Sequence, residues 1–194
     1  MRIGLIGGTF NPIHFGHLVL AQECAFVMKL DKVIFIPSRI PPHRAVDNHV
    51  SVEHRLKMIR AAIKGDRRFE VSTFEADKLT PAYTIDTVKY FRKKYGPACR
   101  IFFMVGADWA HSLHTWNNAK ELSKLVAFII ANRPGFSSKR RDGIKTKSID
   151  IPHIDISSTM IRDRIKAKRP VSFFMPHEVE KYIRDNNLYG GNKK

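Results

Sequence analysis

The sequence predicts an α/β fold with a mostly parallel, doubly wound sheet, from three observations: short unbroken apolar runs, helical patterns between them, and glycine or proline where the runs end. The runs are Arg2 to Gly7, Val33-Ile34-Phe35-Ile36, Arg100 to Val105 and Ala127 to Ala131. Strands covered by helices on both faces have this continuous apolar character, whereas strands with one wet face alternate. Helical periodicity occupies Leu18 to Leu30, Val52 to Ile63, Ile85 to Tyr95 and Val179 to Leu188. In the last of these Val179, Tyr182 and Ile183 share one face, and Gly190 supplies a stop. A length of 194 residues suits one core. Residues 1–194 are therefore expected to form a single domain, with a C-terminal helical part, about residues 157–189, packed on it.

Composition narrows the function classes without choosing among them. Hydrophobic residues make up 43% and charged residues 27% of the chain, as in ordinary globular proteins. No apolar run approaches the ~20 residues of a membrane span, and the N-terminal apolar stretch is too short for a signal peptide. The expected location is the cytoplasm. Cys24 and Cys99 stand far apart in apolar contexts, the pattern of two buried thiols rather than of a disulfide or a metal cluster. Thirty-four Lys and Arg against eighteen Asp and Glu give a formal charge of +16. Such a field attracts phosphorylated ligands and nucleic acid alike. Two segments, Pro37 to Val50 and Arg133 to Lys147, read as long loops, the first expected to touch substrate and the second to be partly mobile.

Chemistry concentrates where the first strand ends, in Gly7-Gly8-Thr9-Phe10-Asn11-Pro12-Ile13-His14-Phe15-Gly16-His17. Ligands of parallel α/β sheets bind at this carboxyl edge. Gly7 and Gly8 let backbone approach a phosphate, and a helix starting near Gly16 offers free N–H groups and a positive dipole end. His14 and His17, three residues apart, would aim their rings the same way and donate hydrogen bonds as charge develops.

This segment resembles the GGTFDP-x-H-x-G-H signature of the nucleotidylyltransferases, with Asn11 in place of the commoner Asp. A second segment, Asp155-Ile156-Ser157-Ser158-Thr159-Met160-Ile161-Arg162, resembles their I-S-S-T-x-I-R, which binds ATP phosphates in relatives. Ser157 or Ser158 can cap the helix that carries Ile161 and Ile165, with Thr159 and free amides at its N-terminus and Arg162 one turn on. The resemblance implies a Rossmann-like three-layer sandwich. It also implies catalytic roles for His14 and His17, and an ATP site of Gly7, Gly8, Thr9, Phe10, His14, Gly16, His17, Gly106, Asp108, Ile156, Ser157, Ser158, Thr159 and Arg162.

The middle of the chain resembles one branch of that family, the nicotinate mononucleotide adenylyltransferases. Pro41-Pro42-His43-Arg44 looks like their PPHK loop with Arg44 for Lys. Ala82-Tyr83-Thr84-Ile85-Asp86-Thr87 looks like SYTxDT, and Gly106-Ala107-Asp108 with His114-Thr115-Trp116 looks like GAD…HTW. By that resemblance Trp116 stacks on a pyridine ring, amides around Tyr83 and Thr84 receive its carboxylate, and Asp108 holds a ribose hydroxyl or orders a metal-bound water. Asn11, His43, Arg44 and Arg133 would complete the mononucleotide site. The implied substrates are ATP and nicotinate mononucleotide, with Mg²⁺ carried mainly by the ATP phosphates and no protein metal ligand. Nicotinamide mononucleotide and phosphopantetheine are the alternative acceptors, and RNA binding on a transferase-like fold is the alternative of another class. Nucleic acid and membrane are not expected as partners; a homo-oligomer is left open.

Overall fold

Six parallel strands form one sheet in the order β3-β2-β1-β4-β5-β6. They are β1 (Arg2–Gly8), β2 (Lys32–Pro37), β3 (Phe69–Val71), β4 (Arg100–Gly106), β5 (Ala127–Asn132) and β6 (Thr146–Asp150). The computed structural model describes residues 1–39, 50–106, 113–132, 144–152 and 154–190. Among these the helices are α1 (Phe15–Val27), α2 (Val52–Ala62), α3 (Thr84–Tyr95), α4 (Ala119–Leu125), α5 (Ser158–Lys166) and α6 (His177–Asp185). A short 3-10 turn spans Leu113–Thr115. The order is that of a doubly wound, Rossmann-like sheet, reversing direction between β1 and β4, and that reversal opens a crevice beyond their carboxyl ends.

Alternate strand residues feed two apolar layers. Val33 and Phe35 of β2, Phe102 and Met104 of β4 and Ile129 of β5 pack with Ala21, Cys24 and Ala25 of α1 and Met58 and Ile59 of α2. Ile161 of α5 and Val179 and Ile183 of α6 join that same layer. On the opposite face Leu5, Ile34, Ile36, Phe103 and Ile130 meet Ile85, Val88 and Phe91 of α3 and Leu122 of α4. Arg92 of α3 donates to the carbonyls of Cys99 and Leu125, binding α3 to the start of β4 and the end of α4.

The four sequence-predicted strands and four helices are all present, with shifted ends. α1 begins at Phe15, not Leu18, because His14 in extended conformation (φ −150°) serves as its N-cap. It ends by Val27, before Lys29 at φ 48°. α6 stops at Asp185 rather than Leu188, as Asn187 turns left-handed at φ 50° ahead of Gly190. Strands β3 and β6 and helix α4 have no counterpart in the sequence reading, and β6 starts inside the stretch read as a loop through Lys147. β3 is only three residues long, and β6 buries Ile149 alone. Neither carries the apolar run that marks an interior strand. The first expected loop begins one residue late, since Pro37 closes β2 beside Gly8; positions 40–49 and 133–143 lie outside the described residues. Cys24 and Cys99 are both buried free thiols, and burial raises the Cys24 pKa to about 12. No helix among the described residues is long and apolar enough to cross a membrane.

Ile183 reaches the central core from near the chain's C-terminus and is 4% exposed. Ile183→Ala is expected to lower stability by about 2–5 kcal/mol. One cooperative urea transition shifted as a whole is the expected result, whereas a separate early transition would mark the C-terminal helices as an independent unit.

Candidate active site

The segment between β1 and α1 is held from beneath at three carbonyl oxygens. Arg55 of α2 donates from Nη1 to Thr9 O at 2.7 Å, Arg162 of α5 from Nη1 to Asn11 O at 2.9 Å, and Ser158 Oγ to Pro12 O at 2.8 Å. The Asn11 side chain is committed as well: it is 1% exposed, and its Oδ1 accepts from Tyr189 OH at 2.8 Å. Phe10 holds a left-handed backbone (φ 47°), a conformation that a phenylalanine keeps only when its surroundings enforce it. Its ring supplies the reason, packing edge-on at 5.0 Å from His17 and 5.7 Å from Phe35.

His14 and His17 lie at the first turn of α1 with ring centroids 3.8 Å apart. The His14 N–H donates to His17 Nδ1 at 3.3 Å. A neutral imidazole that accepts at Nδ1 carries its proton on Nε2, so His17 presents an Nε2–H donor. Burial lowers the pKa of both rings, that of His14 to about 4, and His14 adds electrostatic repulsion to the lowering at His17. His14 Nδ1 is buried with no hydrogen-bond partner among the described residues. An unpaired buried polar atom of this kind is rare and costs about 1–3 kcal/mol.

Gly16 leaves room for the His14 ring and lies beside the chain entering the second helix of the site. A Cβ there would stand 3.1 Å from the His14 ring and 3.6 Å from Ile156 O. Ser157 caps α5, its Oγ accepting from Met160 N at 3.1 Å, and Arg162 Nη2 donates to Thr159 Oγ1 at 3.2 Å. Two helix N-termini with their positive dipole ends thus converge beside the Gly7-Gly8 strand end, an arrangement suited to a polyphosphate.

The sequence-predicted pyridine residues belong to the other layer. Trp116 is half-buried, packed perpendicular to Phe103 at 5.8 Å and Phe128 at 5.9 Å. A Cβ on Gly7 would lie 3.2 Å from the Phe103 ring, so Phe103 stands between the β1 end and Trp116. Tyr83, 46% exposed, is the N-cap of α3 and Thr84 its first residue. Amides at this first turn have no intrahelical acceptor. Thr87 Oγ1 donates to Glu75 at 2.6 Å, and burial pushes the Glu75 pKa up. Gly106 ends β4 opposite Ala131 of β5. His43, Arg44, Asp108 and Arg133 lie outside the described residues.

Sequence reasoning missed Arg55, Tyr189 and Glu75. Arg55 was visible as a charge on an apolar stripe: it shares the buried face of α2 with Val52, Leu56 and Ile59. Tyr189 and Glu75 carried no comparable signal.

A sheet of this order with a glycine-rich β1 end and two helix N-termini at its reversal point defines a nucleotide-binding α/β domain, and residues 5–164 match the cytidylyltransferase-like family. The nicotinate-nucleotide adenylyltransferase of Bacillus subtilis (strain 168) is 38% identical over 188 residues, covering 97% of this chain and 98% of that protein. The chain belongs to the nicotinate-nucleotide adenylyltransferase family. Its fold is also that of Plasmodium falciparum nicotinic acid mononucleotide adenylyltransferase. The structure of that protein complexed with NaAD aligns at TM-score 0.78 and 20% identity over 97% of each chain. The one complexed with APC aligns at TM-score 0.77 and 20% identity, over 97% of this chain and 96% of that one.

The buried imidazoles make stability pH-dependent. A histidine whose folded pKa is depressed contributes fully above the unfolded value of 6.5, and the contribution is lost as pH falls toward the folded value, about 4 for His14. The melting temperature is therefore expected to drop as pH falls from 6.5 toward 4, and His14→Gln to flatten that drop. Parallel wild-type and variant melting curves would refute it.

Proposed function

We propose that the protein transfers the adenylyl group of ATP to nicotinate mononucleotide, releasing pyrophosphate and forming deamido-NAD, a step of NAD biosynthesis. The observation that carries the reading is the convergence of the α1 and α5 N-termini on the β1 strand end, with His14 Nδ1 buried beside them and without a hydrogen-bond partner among the described residues. Amides, hydroxyls and neutral imidazoles are donors, and donors suit phosphate oxygens.

In this reaction an oxygen of the mononucleotide phosphate attacks the α-phosphorus of ATP in line, and the bond from that phosphorus to the bridging oxygen breaks. Pyrophosphate carries away the electron pair. A phosphate monoester has a second pKa of about 6, so the attacking oxygen is already deprotonated and needs no protein base. Catalysis is then alignment and stabilisation of charge. The His17 Nε2–H and the His14 ring donate to the transferring and departing phosphates, while the Gly16 amide, the first turn of α5 and Arg162 hold the β and γ phosphates. Among the described residues no three His, Cys, Asp or Glu side chains cluster as a metal site. Mg²⁺ carried by the ATP phosphates would spread their charge.

For the acceptor, Trp116 offers an aromatic face to the pyridine ring, and the amides at the start of α3, near Tyr83 and Thr84, favour a carboxylate over an amide. Both substrates are soluble anions, the setting is the cytoplasm, and the +16 charge of the chain attracts anions in general.

The test is pyrophosphate release from ATP and Mg²⁺ with nicotinate mononucleotide, nicotinamide mononucleotide or phosphopantetheine supplied separately. Preference for nicotinate mononucleotide is expected. Equal use of the amide would remove the carboxylate argument, and turnover only with phosphopantetheine would overturn the acceptor. His17→Ala is expected to lower kcat about 10²–10³-fold in a folded protein; unchanged turnover would discard the histidine mechanism. Trp116→Ala is expected to raise KM for the mononucleotide about tenfold and leave KM for ATP near wild type. A selective rise in the ATP KM instead would move Trp116 to the nucleotide side.

A further inference from the structure

Arg55 is 2% exposed, and among the described residues its hydrogen bonds all end on carbonyl oxygens. Nη1 donates to Thr9 O at 2.7 Å, Nε to Val50 O at 3.3 Å and Nη2 to Arg39 O at 3.5 Å. These acceptors lie just past β1, just before α2 and just past β2. Burying a guanidinium whose hydrogen-bond partners among the described residues are carbonyls alone is costly even with the nearby charge of Glu53, and a cation kept this way needs compensation from what it holds. A leucine would fill the volume at this stripe position and leave the carbonyls unpaired; a lysine would reach one of them.

The bond to Thr9 has the clearest chemical consequence. In a trans peptide the C=O and the next residue's N–H point in opposite directions. Drawing the Thr9 carbonyl toward α2 therefore turns the Phe10 N–H away from α2. Phe10 in turn carries the ring that packs on His17 at 5.0 Å, and its φ of 47° is the strained conformation that such an anchor has to maintain. The network also runs outward: Arg39 Nη1 donates to Ala76 O at 3.2 Å, and Glu75 next to it holds Thr87 of α3.

We infer that Arg55 is a positioning residue for adenylyl transfer, fixing the Thr9–Phe10 peptide so that the Phe10 amide and the His17 ring are presented to the nucleotide phosphates. The inference rests on the function proposed above. It assigns Arg55 no contact with substrate.

The experiment compares wild type, Arg55→Ala and Arg55→Lys in turnover, in ATP affinity measured by calorimetry, and in the ¹⁵N amide spectrum. Wild-type turnover reports on the function itself. Both variants are expected to lose kcat on the order of a hundredfold, and millimolar guanidinium is expected to restore part of the loss in Arg55→Ala without affecting wild type. ATP is expected to shift the Phe10 amide resonance in wild type and to leave it in place in Arg55→Lys. If Arg55→Ala fails to fold, Arg55→Lys, which keeps the buried charge, carries the test. A lowered melting temperature with wild-type turnover and ATP affinity in the folded variant would overturn the inference, making Arg55 a stabilising residue only. Wild type that binds ATP without transferring adenylyl groups would refute the function, and the inference would then be judged on ATP affinity and the Phe10 resonance. Wild type that does not bind ATP would overturn both.

Discussion

Side chains that point up from α2 and α5 grip the carbonyls of Thr9, Asn11 and Pro12, and the site depends on that grip. A loop between a strand and a helix has no ladder partners of its own, so its peptide groups take whatever orientation their neighbours impose. Here side-chain donors supply the partners for one edge of the loop. His14 can then cap α1 and return its N–H to His17, and Gly16 can approach Ile156. α5 comes from a distant part of the sequence, so the proposed phosphate site is complete only with the C-terminal helices in place. The shared apolar layer of Ile161, Val179 and Ile183 is therefore part of the active-site architecture as well as of the core.

The electrostatics divide between fixed and titratable groups. Arg55 and Arg162 supply permanent charge beneath the loop. Burial disfavours the charged forms of the two histidines, and at His17 the neighbouring His14 adds to the effect. Neutral imidazoles still donate hydrogen bonds, and a polyphosphate entering the site would favour their charged forms. An anion bound as proposed would thus create part of its own counter-charge.

The parts of this design visible in the sequence are those made by adjacent residues. Interior strands announced themselves because helices on both faces demand unbroken apolar runs, and the glycine-histidine segment because its donors are consecutive. The Ser157 cap was readable for the same reason. β6 was not, since an edge strand with only Ile149 buried has a polar pattern that reads as loop. Asn11 shows the other limit. Its type and position suggest a ligand-facing turn residue, but whether its side chain meets ligand or protein is decided by Tyr189, 178 positions away. Local patterning cannot encode that choice. Arg55 lies between these cases, because its misplacement on an apolar stripe is visible and its partners are not.

The two layers also fit the proposed use of two ligands. The proposed phosphate donors belong to the layer of α1, α2 and α5, and the aromatic group of Trp116, Phe103 and Phe128 to the layer of α3 and α4. Between them runs only the end of β1, where Gly7 lacks the side chain that would press on Phe103. A Cβ there would press on the Phe103 ring at 3.2 Å and displace it by about a few tenths of an ångström, and in-line transfer is sensitive to the placement of attacking oxygen and phosphorus. The glycine at position 7 therefore matters as much for where the second ligand can lie as for phosphate approach. The hydrogen bonds from Arg55 to Thr9 and Arg39, and from Arg39 to Ala76, tie the end of β1 to the segments after β2 and β3.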